Sequence, residues 1–478
     1  MASTSASLIE HVSLYTDLYE LTMAQGYFLA GKASQQACFD YFFRSNPFEG
    51  GYVVFAGMRD FLELLETLRF GAIERDYLRS LGFDERFLAY LADFRFRGEI
   101  WAPAEGEVVF PYAPVIRVRG GLLETQIVET LLLNVVNFSS LIATKASRIR
   151  RVAGERMLIE FGLRRAQGLG GLHASRAATI GGFDATSNVL AGYHFDLEVA
   201  GTQAHSWIQS FDDELTAFRA YAEHYPDKCL LLVDTYDTLR SGVPHAITVA
   251  KELEAKNKRL LGIRLDSGDL AYLAKKARQM LDEAGLDYVK IAASNQLDEH
   301  VIKSLLVDQG APIDIFGVGT QLVTAYDDAA LGGVYKLSEV DSSPRIKISE
   351  NYQKVNFPAI KQVLRLIDDD GLFYADAVVE HEQTSVGRML HPFDPRKSVD
   401  VSRFATEALL SPWVQDGEQV RELVSAHQSR AFSASRLALL PDEHKRFENP
   451  HIYKVGLSEE LYTLREQVLE RARQEIKS

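Results

Sequence analysis

Cysteine is scarce in this sequence of 478 residues, which has only Cys38 and Cys229, 191 positions apart. Neither belongs to a Cys-x-x-Cys pair, which argues against a structural zinc site and against a disulfide framework. The first residues, "MASTSASLIE", lack the basic segment and apolar core of a signal peptide. No uninterrupted apolar run approaches the roughly 20 residues that span a bilayer. These absences predict a cytoplasmic protein that does not enter a membrane.

Positive charge is also in short supply, since 52 Lys and Arg stand against 66 Asp and Glu, for a formal net charge of −14. Such a charge repels nucleic acid backbones and anionic membrane surfaces, so neither is expected as a main partner. A phosphate-bearing ligand would need a local cluster of Arg, Lys, glycine amides or metal. The 46% hydrophobic and 25% charged content is ordinary for a globular chain, and the length predicts two or three structural units.

Two common nucleotide-binding signatures are missing, the GxxxxGK[ST] loop and the Rossmann GxGxxG. What the sequence does contain, from about 156 to 340, is a series of short apolar runs that alternate with helical patterns, which predicts parallel βα units. The runs predicted to be strands are "RMLIEFG", "KCLLLVDTY", "LLGIRLDSGD", "YVKIAASN" and "IDIFGVGT".

Polar or glycine residues follow four of these strands in succession: Asp234, Asp266, Ser294–Asn295 and Gly317–Thr320. Any one of them could simply cap the next helix. Four in succession favour a site, because an α/β barrel builds its active site at the carboxyl ends of its strands.

The whole chain is therefore predicted to be α/β, with an irregular or incomplete (β/α)8-type barrel at 141–340. An N-terminal α+β domain with a long connecting helix is expected at 1–140, and an appended C-terminal domain at 341–478. Apolar pairs from 122 onward predict that long helix. In the last segment, "PRIKISE" and "QVLRLIDDDGLFYADAVVE" predict a hairpin with an Asp-Gly turn.

Several groups near the predicted strand ends suit an anionic ligand. Adjacent Arg164 and Arg165 in "EFGLRRAQG" offer forked guanidinium groups, although on an extended segment they would point to opposite faces. Gly181–Gly182 would let the backbone approach a ligand closely. In "GIRLDSGD", Arg264 stands beside Asp266 and Asp269, and an acid there could hold a ribose diol or Mg²⁺.

The turn "FGVGT" after the last predicted strand offers backbone amides and a hydroxyl to an anion. The residues that could form this cradle are Gly317, Gly319 and Thr320. Together with the arginines and acids, the turn describes an anion-binding barrel mouth. A phosphosugar substrate with an attached acid fits that description.

An ordered set of long motifs resembles the nicotinate phosphoribosyltransferase family, a type II phosphoribosyltransferase family, over roughly residues 13–380. The motifs are "TDLYELTMAQGYF", "EFGLRRAQG", "ASRAATIGGFDATSN", "GTQAHSW", "LLVDTYDTL", "GIRLDSGDL" and "GVGTQLVT…LGGVYKL". The later "KISENYQKVNFPAIKQVLRL" also resembles the family's C-terminal region. One departure is "NFPAIK", where Ala359 replaces the family's more usual glycine.

The resemblance implies an enzyme that makes nicotinate mononucleotide and diphosphate from nicotinate and 5-phosphoribosyl 1-diphosphate, the first step of a salvage route to NAD. It also implies coupling to ATP hydrolysis with Mg²⁺, transient phosphorylation of His205, and a homodimer with the active site near the subunit interface. From the residues alone, His205 could instead be a buried structural side chain. A zinc ligand would need partners at metal-ligand spacing, and none stands near it.

The resemblance also assigns roles to single residues. Its catalytic set is His205, Asp234, Arg264 and Arg165. Its substrate-binding set is Tyr19, Thr202, Arg164, Ser206, Asp266, Gly182, Gly317, Gly319 and Thr320. Tyr19 is expected to stack on nicotinate. Mg²⁺ is expected to bind through diphosphate, with Asp266 and Asp269 as candidate protein ligands.

Other functions remain open from the residues. A phosphoribosyltransferase for nicotinamide or quinolinate would use the same fold, and a catalytically silent homologue would keep it without the reaction. A barrel hydrolase or aldolase would need clustered metal ligands or a Schiff-base lysine. Lys290 in "YVKIAASN" is the one attractive lysine, although a place at a strand edge explains it as well.

Overall fold

The computed structural model describes residues 9–348 and 356–477. The chain divides into two compact units. One, the split unit, combines Met1–Thr144 with Ala330–Ser478, and the other, the barrel unit, is Lys145–Ala329. The predicted string "PRIKISE" runs beyond residue 348, so its end lies outside the described residues.

The N-terminal part of the chain mixes helices and strands, as the sequence predicts. Its helices are α1 (Leu18–Leu29), α2 (Met58–Thr67), α3 (Ala72–Ser80), α4 (Glu85–Leu91), α5 (Leu122–Ile127) and α6 (Glu129–Ala153). Its strands are β1 (Gln36–Phe43), β2 (Val53–Val54), β3 (Glu99–Ala102), β4 (Val108–Val109) and β5 (Ile116–Gly121). The long helix expected from 122 is thus two consecutive helices that meet at Val128.

The segment Leu122–Ala153 is long and apolar enough to cross a membrane by length and composition, with a mean hydropathy of 1.5 in its most apolar window. Of that window, 67% is buried inside the protein. Core helices of globular proteins pass the same test, because an all-round apolar helix can be buried by protein as well as by lipid.

The barrel unit alternates strands with helices. Its strands are β6 (Met157–Glu160), β7 (Ala185–Thr186), β8 (Leu230–Leu232), β9 (Gly262–Leu265), β10 (Lys290–Ser294) and β11 (Ile315–Val318). Its helices are α7 (Gly168–Ile180), α8 (Val189–Phe195), α9 (His205–Gln209), α10 (Glu214–His224), α11 (Val243–Glu254), α12 (Leu270–Glu283), α13 (Glu299–Lys303) and α14 (Thr320–Val323). Short π-helical segments at Thr238–Gly242 and Ser304–Asp308 adjoin α11 and α13.

The strands of this unit pair in parallel throughout, in the order β7-β6-β11-β10-β9-β8. A bridge from Thr186 to Val199 extends the β7 edge. The sheet is therefore an incomplete βα barrel, as the sequence predicts. Apolar side chains from five strands form an inner cluster: Ile159, Ala185, Leu230, Ala292 and Ile315. Such near-continuous apolar strands are typical of a parallel sheet that is covered on both faces.

The C-terminal part of the chain is mostly strand. Its strands are β12 (Gly333–Val340), β13 (Ser343–Pro344), β14 (Lys361–Ile367), β15 (Phe373–Glu380), β16 (Arg388–His391), β17 (Asp394–Asp400), β18 (Ala405–Ala408), β19 (Ser411–Gln415), β20 (Glu418–Gln419) and β21 (Lys454–Ser458). Its helices are α15 (Ala426–Leu439) and α16 (Glu459–Lys477). β14 and β15 form the predicted hairpin, with Gly371 in its turn at φ +80°.

Sheet pairing in the split unit joins distant parts of the chain. One sheet has the order β13-β12-β1-β5-β3-β19-β20, and a second has the order β17-β16-β21-β15-β14-β18. β12, which falls within the predicted barrel segment, pairs antiparallel with β1. The expected domain boundaries at 140 and 340 remain predictions.

Both cysteines are buried and neither is in a disulfide. Cys38 lies in β1 of the split unit, and Cys229 directly precedes β8 in the barrel unit. Burial raises the pKa of each thiol to about 12.

Candidate functional site

The carboxyl edge of the parallel sheet gathers the polar groups that the sequence places after its strands. Arg264 on β9 is the centre of this cluster. Its Nε donates to Ser294 Oγ at 2.8 Å, and its Nη2 donates to Asp266 Oδ1 at 2.8 Å. Its Nη1 donates to Thr202 Oγ1 at 3.0 Å, and its guanidinium carbon lies 5.5 Å from the centroid of the Phe161 ring. Three predicted site residues, Thr202, Arg264 and Asp266, therefore lie in direct contact.

Asp266 is held in one orientation by its neighbours. The Ser294 hydroxyl donates to the same Oδ1 that Arg264 contacts. Burial alone would raise the pKa of Asp266, but the hydrogen bonds from Ser294 and Arg264, with smaller help from His205, bring the pKa below its usual value. The carboxylate is therefore ionised at neutral pH.

Asp234 follows β8 and supports the turn after β9. Its Oδ2 accepts from the Asp266 backbone N–H at 2.8 Å and from the Ser267 hydroxyl at 2.7 Å. Its Oδ1 is buried and has no hydrogen-bond partner among the described atoms. Because a buried carboxylate oxygen without a partner is costly, this oxygen suits an added hydroxyl or cation.

His205 is the first residue of α9, and its side chain is 40% exposed. Its Nδ1 lies 3.0 Å from Thr235 Oγ1, and its Nε2 lies 3.9 Å from Asp266 Oδ2. Ser206, the next residue, is exposed. The structure thus brings the predicted phosphate acceptor to the same edge as Arg264 and Asp266.

The two adjacent arginines lie in the turn after β6. The Arg165 N–H donates to Gly162 O at 2.7 Å, which closes the turn. Both arginines are exposed, and within residues 9–348 and 356–477 neither guanidinium group makes a hydrogen bond or an ion pair. They are therefore available to an anion, whereas the guanidinium of Arg264 already makes hydrogen bonds within the protein.

The predicted glycine cradle is shaped by an aromatic ring. A Cβ on Gly317 would lie 2.3 Å from a carbon of the Phe161 ring, and a Cβ on Gly319 would lie 3.1 Å from the Phe161 carbonyl oxygen. Thr320 begins α14 and is exposed. Packing of the Phe161 ring is a sufficient reason for Gly317, and the Phe161 carbonyl leaves little room at Gly319. Contact of either glycine with an anion remains a prediction.

Gly182 lies elsewhere in the barrel unit. It follows the C-terminal end of α7 and precedes β7, which places it at the amino edge of the sheet, opposite the cluster around Arg264. Its φ is +119°, its carbonyl accepts from Arg150 Nε at 2.8 Å, and a Cβ there would lie 2.9 Å from Arg150 Cγ. The glycine is thus needed for the approach of an arginine of α6, and we do not carry it forward as a substrate contact.

Three other residues singled out from the sequence lie outside the cluster of side chains that contact Arg264. Asp269 caps α12, since its Oδ1 accepts from the Tyr272 N–H at 3.0 Å. Tyr19 belongs to α1 of the split unit and is 47% exposed. Lys290 begins β10 at the amino edge, where its Nζ lies 3.4 Å from Asp314 Oδ1. That position removes Lys290 as a Schiff-base candidate at the carboxyl edge.

Sequence reasoning missed three residues that shape this site, Glu160, Thr235 and Ser267. Each stands at or directly after a predicted strand, so the strand-end pattern that selected Asp234 and Asp266 also covers them. Their residue types gave no further reason to choose them.

Similarity to known proteins covers most of the chain. Three family models match it: the nicotinate phosphoribosyltransferase N-terminal domain at residues 14–137, the nicotinate phosphoribosyltransferase family at 157–383, and the C-terminal domain at 360–465. Nicotinate phosphoribosyltransferase of Bacillus subtilis is 44% identical over 468 residues, which cover 95% of this chain and 94% of the relative.

Solved structures give the same answer for the fold. The crystal structure of human nicotinic acid phosphoribosyltransferase matches with a TM-score of 0.85 and 34% identity, and the match covers 95% of this chain and 99% of the human chain. A nicotinate-nucleotide pyrophosphorylase from Pyrococcus furiosus matches with a TM-score of 0.70 and 25% identity, over 89% and 96% of the two chains. These matches confirm the predicted α/β architecture.

Proposed function

Because the chain belongs to the nicotinate phosphoribosyltransferase family, we propose that it joins nicotinate to 5-phosphoribosyl 1-diphosphate and releases nicotinate mononucleotide and diphosphate, the first step of a salvage route to NAD. We further propose that ATP hydrolysis drives this step through transient phosphorylation of His205. The observation that carries the proposal is the cluster of Arg264, Asp266 and His205 at the carboxyl edge of one parallel sheet.

The transfer itself needs positioning more than a strong base. The lone pair of the nicotinate ring nitrogen forms the new bond to C1 of the ribose, and the bond from C1 to the diphosphate oxygen breaks with its electron pair on that oxygen. The transition state has oxocarbenium character, so fixed negative groups near the ribose and cations near the diphosphate lower the barrier. Asp234 and Asp266 supply the first, and Arg165 or Arg164 supplies the second.

The arginines divide between support and binding. Arg264 makes hydrogen bonds through Nε, Nη1 and Nη2, which leaves little of its donor capacity for a ligand. We therefore assign Arg264 to hold Asp266 and to offer a remaining N–H to nicotinate or diphosphate. Arg164 and Arg165 offer whole guanidinium forks, which suit a carboxylate or a phosphate.

The surroundings of the His205 ring fit its proposed role. If Nδ1–H donates to Thr235 Oγ1, Nε2 keeps its lone pair and can attack the γ-phosphorus of ATP. The bond from Nε2 to phosphorus forms while the bond to the ADP oxygen breaks. The exposed Ser206 beside it, with Thr202 and the turn that holds Gly317, Gly319 and Thr320, is proposed to contact the phosphates.

Magnesium is proposed to bind mainly through substrate oxygens. The described residues contain no cluster of three or more ligand-type side chains, and Mg²⁺ readily keeps water and phosphate among its ligands. Asp234 Oδ1, which has no partner among the described atoms, is the best placed protein oxygen, and Asp266 is the second. A bound Mg²⁺ would neutralise charge on the departing diphosphate.

We propose that the protein is a cytoplasmic homodimer. Each unit exposes apolar side chains that a partner could cover. On α1 these are Leu18 and Tyr19, 59% and 47% exposed, and on α8 they are Val189 and Tyr193, 71% and 69% exposed. Tyr19 is proposed to stack on nicotinate near the subunit interface. Light scattering of the purified protein would test the dimer.

The reaction is tested with purified protein, labelled nicotinate, 5-phosphoribosyl 1-diphosphate and Mg²⁺, with and without ATP. Nicotinate mononucleotide should form, and ATP should raise its yield. Nicotinamide in a parallel reaction should give far less product, because a site with free guanidinium groups favours an acid over an amide. A higher yield from quinolinate than from nicotinate would favour the quinolinate reaction instead. No nicotinate mononucleotide in any condition contradicts the proposal.

The role of His205 is tested by His205→Ala, with His224→Ala as the matched control because His224 is an exposed histidine of α10. Transfer from γ-labelled ATP should leave acid-labile, base-stable phosphate on the wild-type protein and on the control, and none on His205→Ala. If His205→Ala keeps the stimulation by ATP, the energy-coupling assignment is wrong.

A further inference from the structure

A buried carboxylate lies at the start of the turn after β6, the turn that contains Arg164 and Arg165. Glu160 ends β6 and is 1% exposed. One of its oxygens, Oε1, accepts the backbone N–H of Gly162. The other, Oε2, accepts from the hydroxyls of Ser175 at 2.9 Å and Thr186 at 2.6 Å.

This carboxylate has donors but no cationic partner. Among the described residues no Lys, Arg or His is within ion-pair distance of Glu160, although two arginines follow it within five positions. Burying a carboxylate away from water is expensive unless hydrogen bonds replace its hydration. The three donors supply those bonds. The role of this carboxylate is therefore to hold the donor groups in place.

The carboxylate fixes the first peptide of the turn. Gly162 donates its N–H to Glu160, and its carbonyl accepts from the Arg165 N–H at 2.7 Å. A Cβ on Gly162 would lie 2.1 Å from Val323 Cγ1, so the Val323 side chain packs closely against this glycine. Phe161, between Glu160 and Gly162, has its ring against the space left by Gly317 and near Arg264.

The other two donors anchor the carboxylate to the sheet and to α7. Thr186 is the last residue of β7, and Ser175 lies in the middle of α7. Asn188 extends the network, since its Nδ2 donates to Ser175 Oγ at 3.2 Å while its Oδ1 caps α8. The turn after β6 is thus tied, through one side chain, to three elements of the barrel unit.

We propose that Glu160 is a positioning residue, which holds the turn at residues 161–167 so that Arg164 and Arg165 present their guanidinium groups to the anionic substrate. The effect on substrate binding rests on the proposed function. The effect on the turn itself does not, because it follows from the hydrogen bonds alone.

The test compares Glu160→Ala with Glu160→Gln. Gln can still accept the Gly162 N–H through its carbonyl oxygen. Its amide group then faces the hydroxyls of Ser175 and Thr186, which can rotate to accept, and Ser175 already has Gly171 O as a second acceptor at 3.0 Å. Gln is therefore expected to preserve the turn, whereas Ala removes all three bonds.

The first readout is trypsin cleavage after Arg164 and Arg165, followed by mass spectrometry on the native full-length protein. Cleavage after Arg240, whose side chain is 90% exposed, serves as the internal reference. Glu160→Ala should raise the rate at the two turn arginines by about ten-fold relative to the reference, because a released turn fits a protease better. Glu160→Gln should cleave like the wild type.

The second readout is steady-state kinetics. Glu160→Ala should raise KM for 5-phosphoribosyl 1-diphosphate or nicotinate by about ten-fold or more and also lower kcat, because the displaced arginines bind the substrate and stabilise the departing diphosphate. Glu160→Gln should restore both parameters. The matched control is Glu214→Ala, since Glu214 is a buried carboxylate of the same unit that pairs with His245. The control should lower thermal stability without faster cleavage at the turn.

The inference is overturned if Glu160→Ala leaves cleavage at the turn at the wild-type rate, or if cleavage rises and neither KM changes. It is also overturned if Glu214→Ala opens the turn equally. A wild-type protein that makes no nicotinate mononucleotide refutes the proposed reaction instead, and the cleavage comparison then decides alone whether Glu160 holds the turn.

Discussion

Glu20 is expected to make the protein less stable as the pH rises, and Glu20→Gln should remove that loss. Glu20 lies on α1 and is fully buried. Its Oε2 accepts from Gln126 Nε2 at 2.6 Å, and the same amide nitrogen donates to Glu129 Oε2 at 2.9 Å. Two carboxylates therefore share one amide group in the split unit.

Burial raises the pKa of Glu20 from 4.5 to about 7, against the opposing hydrogen bond from Gln126, and repulsion from Glu129 and Asp17 adds to the rise. Between these two pH values the folded chain keeps a proton that the unfolded chain has lost. Stability therefore falls as pH rises through this window and is level above it. At about 1.36 kcal/mol per pKa unit, the loss amounts to roughly 3 kcal/mol.

Glutamine resembles the protonated acid and cannot ionise, so the variant keeps the stability that the wild type has below about pH 4. The two proteins should unfold alike at that pH, and Glu20→Gln should be more stable by about 2–3 kcal/mol at about pH 8. Urea unfolding at about pH 4, 6 and 8, with refolding checked at each, measures the difference.

Asp17→Asn is the control, because Asp17 is an exposed acid next to the same cluster. Its difference from the wild type should stay within about 0.5 kcal/mol at every pH. A Glu20→Gln difference that does not change with pH, or one that favours the wild type at about pH 8, would refute the reasoning.

Three further variants test single features. Ala359→Gly should raise the melting temperature by about 1–2 °C in calorimetry. Ala359 has φ +66°, a left-handed conformation that strains alanine but not glycine, and the relief of that strain should slightly exceed the greater conformational entropy that glycine loses on folding. Gly182→Ala should cost about 2 kcal/mol of stability, since its Cβ meets Arg150, yet leave both KM values unchanged; a raised KM would return Gly182 to the substrate site. Arg264→Lys should lower kcat/KM by about 100-fold in protein that circular dichroism shows to be folded, because an ammonium cannot reach three acceptors in one plane; activity within about three-fold of wild type would contradict the assigned role.

Local pattern was enough to predict much of the barrel unit. The strings "GIRLDSGD" and "YVKIAASN" contain β9 and β10. The rule that parallel strands end at one edge predicts that Asp234, Asp266 and Ser294 lie together, as the structure shows. The family assignment and the residue roles came instead from long motifs, which carry information that periodicity does not.

What the sequence could not show depends on partners far along the chain. The pairing of β12 with β1 joins residues about 300 positions apart, and no local signal marks it. A glycine reveals that space or an unusual φ is needed but not which neighbour requires it, so the sequence could not show that Arg150 packs against Gly182. No local pattern marks the role of Glu160 either, because two of its hydrogen-bond donors lie on α7 and β7, further along the chain.

The two interior thiols make this chain a convenient host for a spectroscopic probe. A thiol with a pKa near 12 inside the fold carries almost no thiolate at neutral pH and is shielded from reagents. One cysteine introduced on the surface would therefore take up a maleimide dye or spin label selectively, with no need to remove the natural pair. A label on a cysteine that replaces Leu163 would report motion of the turn after β6 in real time as ATP or 5-phosphoribosyl 1-diphosphate is added.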